Sequence, residues 1–157
     1  FHMVAHQTRN LIVLLTKDTL LRPWCAGEMA TAVNAKLNIV PVACGDFRGF
    51  TEEAIDGTGS TFTGSEVTLL GTLGVTIPLI REAFEQIRNM GPLPINRGDP
   101  YIIHEQLVDT IVKRCQDVRR IPLSLAKRGE ASEATVAILG GRLHESMCTC
   151  HVIRMLL

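Results

Sequence analysis

Trp24, Cys25 and Glu28 stand close together in the stretch LLRPWCAGEMATAV, residues 20–33. Each residue type brings its own chemistry. A carboxylate holds sugar hydroxyls or stabilises a developing cation. An indole offers a flat apolar face with a polar edge. A thiol near a helix N-terminus becomes nucleophilic when its pKa falls. Cys25 has no histidine near it in sequence to act as a base, so it reads as a packing residue. The four-residue spacing puts Trp24 and Glu28 on one helix face. On its own, Glu28 is an acid in the early turns of a helix, favoured by the macrodipole. What sets it apart is the element before it.

That element is NLIVLL, residues 10–15, an unbroken apolar run with β-branched members. Such a run reads as a strand buried on both faces, the habit of parallel sheets. Thr16, Asp18 and Thr19 follow with side-chain oxygens for a turn. Arg22-Pro23 marks a boundary, because proline pushes its predecessor out of helical geometry and itself suits the first helical position. Trp24 to Lys36 favours helix, with four alanines and few β-branched residues. LNIVPVAC is a second buried strand, in which Pro41 suggests an edge or an early end. The first 44 residues therefore predict a βαβ unit with a right-handed crossover. Ligands of open α/β sheets bind at the carboxyl ends of the strands, where the helix carrying Glu28 begins. A carboxylate beside an aromatic platform there suits a sugar or a nucleoside.

Two other clusters compete for attention and fail. GTGSTFTG resembles a phosphate loop, but Phe62 occupies the place of the third glycine of the dinucleotide fingerprint, and no Gly-Lys-Ser/Thr follows. It reads as plain loop. His144, Cys148, Cys150 and His151 do not follow the two-plus-two spacing of zinc sites, so no metal is expected.

Residues 45–74 are rich in glycine, serine and threonine and read mostly as loop, with a helical turn near Thr51 to Ile55. Pro78 opens a helix whose Ile80, Ala83, Phe84 and Ile87 share a face, and Gly91-Pro92 stops it. GPLPIN holds a short strand. Asp99-Pro100 reads as an N-cap and first-turn proline before an amphipathic helix with Ile103, Leu107, Val108, Ile111, Val112 and Cys115. Beyond residue 120 the pattern weakens. Ser132 to Leu139 suits either strand or helix, and residues 121–157 form an unassigned C-terminal extension.

With 157 residues, 46% hydrophobic and 20% charged, the chain can build one globular core. Sixteen basic and sixteen acidic residues cancel, which removes the electrostatic case for nucleic acid or an anionic membrane. No apolar run approaches the roughly 20 residues of a membrane helix. Five scattered cysteines argue against a disulfide framework and for a reducing, cytoplasmic setting. The chain opens on Phe1 rather than methionine, so a piece of a longer protein is expected.

The segment NLIVLLTKDTLLRPWCAGEMATAVNAKLNIVPV resembles the TIR (Toll/interleukin-1 receptor) domain. The likeness lies in an apolar strand ending at Thr16, then W-C-x-x-E as Trp24, Cys25 and Glu28, then a second strand from Asn38 to Val42. It covers residues 10–44 well and extends loosely to about residue 116. It implies an α/β, flavodoxin-like parallel sheet flanked by helices, incomplete at the N-terminal side, because only nine residues precede the first strand. Residues 1–120 would be this partial domain.

The same resemblance implies a signalling protein of innate immunity that self-associates with other TIR domains, as a homo-oligomer. A subset of the family hydrolyses NAD⁺ to nicotinamide and ADP-ribose or a cyclic variant. In those, Glu28 would be the catalytic residue, with Trp24 and Thr16 binding substrate; NAD⁺ is then substrate, and no cofactor is needed. The alternatives are a non-catalytic scaffold that signals by self-association, or a fragment without function.

Overall fold

A computed structural model describes residues 1–96 and 98–115 and the backbone of 136–139. Its centre is β1 (Asn10–Leu15), every residue of which is buried. β1 pairs in parallel with β2 (Asn38–Cys44), from Asn10 opposite Asn38 to Leu15 opposite Ala43. β2 pairs in parallel with β3 (Leu93–Ile95), starting at Val42 opposite Leu93. On its other side β1 pairs in parallel with β4 (Val136–Leu139), Asn10 lying opposite Val136. The sheet order is β3-β2-β1-β4. In the flavodoxin-like order 2-1-3-4-5, β1, β2 and β3 take the places of the last three strands, and β4 lies where the first would be. The sheet is thus parallel and flanked by helices, as the apolar runs predict.

Pro41 lies in an inner strand, not at the edge its ring suggests. β3 joins β2 only from Val42 onward, so at Pro41 the strand has β1 alone beside it and is locally an edge.

Alternation along β1 divides the core in two. Leu11, Val13 and Leu15 join one apolar cluster, and Ile12 and Leu14 the other. The first cluster is covered by α2 (Pro23–Asn34), which brings Ala26, Met29 and Ala30 at no exposure, and by α6 (Ile77–Asn89) packed on α2. Ile80, Ala83, Phe84 and Ile87 are all fully buried, as their spacing predicts. The second cluster is covered by α7 (Tyr101–Arg114) through Ile111, with Leu107 packed against it. The nine leading residues, unassigned from sequence, carry a short helix, α1 (His2–Gln7), docked on α2.

The stretch 45–74 differs most from its sequence reading. It holds α3 (Glu52–Asp56), where a helical turn is expected, but also α4 (Thr58–Thr61) and α5 (Gly64–Thr72). Hydroxyls explain why. Thr51 caps α3, and Thr63 with Glu66 forms a capping box for α5. Thr58, Thr61 and Thr68 donate back to carbonyls four residues earlier. Their polar groups are absorbed by the helices that their composition argues against.

Helix ends carry further differences. Asp99 does not cap α7; its carboxylate accepts from the Asn96 N–H at 3.2 Å, closing the turn before it. α6 ends at Gly91 with φ of 66°, the glycine exit the sequence signals. α2 ends at Lys36 with φ of 55°, while the Leu37 N–H reaches back to the Ala32 carbonyl. A side chain is strained in that left-handed turn. No single helix among the described residues is long and apolar enough to cross a membrane.

Two stability changes follow. Lys36→Gly should raise the urea midpoint, by up to about 1 kcal/mol in free energy, because glycine relieves the left-handed strain. Phe84→Ala should lower stability by about 4 kcal/mol in the same measurement, since its ring is fully enclosed.

Candidate functional site

β1 ends at Leu15, and the chain turns through Thr16 into a single 3-10 turn, Thr19–Leu21. Thr16 is buried and works within this turn. The Thr19 hydroxyl accepts from the Thr16 N–H at 2.8 Å, lies 3.0 Å from the Thr16 hydroxyl, and donates to the Leu14 carbonyl. These bonds fix how the chain leaves the sheet and hence where α2 starts. Arg22 is extended, and Pro23 opens α2 as the sequence requires.

Trp24 and Glu28 lie one turn apart on α2. Trp24 is 54% exposed, unusual for so large an apolar ring. Its indole touches the Phe1 ring, centroids 5.6 Å apart. Between Trp24 and Glu28 lies Gly27, buried in mid-helix. A Cβ there would overlap the Phe1 ring and press on Leu70 Cδ2 at 3.0 Å. Glycine costs helix stability, about 1 kcal/mol against alanine, and here it lets two side chains close onto the helix backbone.

Glu28 is half-buried. Burial pushes its carboxyl above the usual carboxylate range, and the N-terminal ammonium pulls more weakly the other way. A carboxylate short of water interacts more strongly with a neighbouring positive charge than one in bulk water. Cys25 is buried, and burial with the nearby Glu28 charge pushes its thiol up, which outweighs the pull of Arg22. That suits the packing role read from sequence.

Trp24 and Glu28 thus lie one turn apart on α2, and Thr16 lies in the turn that precedes that helix. Sequence reasoning missed Phe1 and Gly27. Gly27 carried a signal: a glycine inside an otherwise strong helix former marks a close approach. Phe1 carried none. Ser60 and Thr61 of GTGSTFTG are exposed but both donate to the Gly57 carbonyl of their own helix, so that segment presents helix rather than a phosphate cradle. Among the described residues no group of three or more histidine, cysteine, aspartate or glutamate side chains is placed to hold a metal. His144, Cys148, Cys150 and His151 lie outside the described residues. No family model, curated protein or solved structure matches the chain.

The raised carboxyl makes Glu28 a pH-dependent burden on stability. Protonated, it costs little; as pH rises through its elevated pKa, the folded state must hold a poorly solvated charge. Glu28→Gln should therefore raise Tm relative to wild type near neutral pH. The gain should vanish below about pH 4, where the acid is protonated in both states. Thermal unfolding across that range checks both limbs.

Proposed function

We propose that this chain carries the glutamate of a TIR-type NAD⁺ hydrolase, releasing nicotinamide and ADP-ribose or a cyclic variant. The observation that supports it is the desolvated Glu28 carboxyl one turn from a half-exposed Trp24, on the helix that follows the central strand. Nicotinamide leaves as a neutral molecule from a cationic bond, so the leaving group needs no general acid. Positive charge builds on the ribose C1 carbon, as in glycoside cleavage. One carboxylate is then enough: it accepts the ribose hydroxyls and stabilises the oxocarbenium charge. Low local solvation strengthens that attraction relative to water. The indole of Trp24 offers a face for the nicotinamide or the ribose. The setting that fits is a cytoplasmic protein that assembles with copies of itself or other TIR domains, the neighbour completing the pocket.

Nicotinamide release from NAD⁺ tests this directly. Wild type should turn over, and Glu28→Gln and Glu28→Ala should each lose roughly a hundredfold or more in kcat. Trp24→Ala should chiefly raise KM. The specific rate should climb with protein concentration if a neighbour completes the pocket. Equal inertness of wild type and Glu28 variants, all folded, would remove the hydrolase and leave the scaffold reading.

A further inference from the structure

α1 is only six residues long, and a helix that short does not hold itself together in water. It has two unlike sides. Val4 is its buried residue, and Phe1, just before it, lies on Gly27 and Trp24. The Thr8 hydroxyl donates to the Met3 carbonyl at 3.2 Å and ties off its end. On the exposed side stand His2 and His6. Their four-residue spacing stacks them, with ring centroids 4.6 Å apart and planes at 49°. Neither imidazole is needed for packing. Two imidazoles on one ion each bind at about 2.1 Å, so their nitrogens must approach within about 4 Å. Rings this close reach that range by turning about their side-chain bonds.

We propose that His2 and His6 form a two-imidazole site for a divalent transition-metal ion, and that the bound ion fastens α1 and holds Phe1 against Trp24. Imidazole suits Cu²⁺, Ni²⁺ and Zn²⁺, and water completes the coordination. The second histidine binds at high effective concentration once the first has bound, so the pair binds far more tightly than either ring alone. Because ligands from the first and second turns are bridged, binding stabilises the helical form of α1. Phe1 rides on that helix, so the ion sets how firmly its ring covers the Gly27–Trp24 surface. The site stands whether or not Glu28 cleaves NAD⁺.

Trp24 is the sole tryptophan in the chain, which makes its emission a local reporter. The full chain is titrated with Cu²⁺ while Trp24 fluorescence is followed. Saturable quenching is expected, reversed by excess Zn²⁺, which does not quench. His2→Ala and His6→Ala should each raise the half-saturating concentration roughly tenfold or more. Both residues are exposed, so the fold should survive, which circular dichroism checks. Zn²⁺ alone should slow amide exchange in α1 of wild type and in neither variant. Unchanged quenching in His6→Ala would mean that the ion binds without His6. That result, like absence of saturable quenching in wild type or no change in α1 exchange, overturns the proposal.

Discussion

A strand with no exposed side chain cannot stand at a surface, and β1 is such a strand. Its alternating residues feed two separate apolar clusters, so helices must cover both faces of the sheet. That demand accounts for α2 and α6 on one side and α7 on the other. It also forces parallel neighbours, since a crossover helix is the short route from one such strand to the next. Where β1 begins, Asn10 is fully buried, and its side-chain oxygen accepts from Asn38 on β2 at 2.8 Å. The same Asn38 amide donates to the Arg114 carbonyl at the end of α7. One polar contact thus ties the two central strands to the helix behind them and fixes their register.

The site inherits its position from that constraint. β1 delivers the chain to the sheet rim, Thr16 and Thr19 close the turn, and α2 descends across the sheet with Glu28 on its second turn. The local chemistry there runs against stability in two ways. Gly27 weakens the helix that Phe1 and Leu70 approach, and Glu28 is held away from water. Concessions of this kind gather where a protein keeps a surface ready for something else.

Much of this was legible in residue order. Continuous apolar runs gave β1 and β2, and four-residue spacing gave the buried face of α6. Proline marked where α2 starts. Apart from the turn near Thr51 to Ile55, the segment 45–74 was not legible, because serine, threonine and glycine signal loops by composition, while hydroxyls that bond to their own helix reverse that meaning. Pro41 misled because edge status is local to a residue, not a property of a whole strand. At the site, the one-turn separation of Trp24 and Glu28 on α2 followed from helix spacing alone. The Phe1 contact depends on a tertiary docking that no local pattern encodes.

The pairing of β1 carries a kinetic consequence. Asn10 meets Asn38 across a short crossover, and also Val136 across most of the chain. Closing the longer loop costs more entropy before any contact rewards it. The β1–β2 unit should therefore assemble early, leaving one flank of the central strand with open backbone groups until the distant segment arrives. During that interval the nascent sheet is sticky along one edge, and a second chain in the same condition is its most available mate.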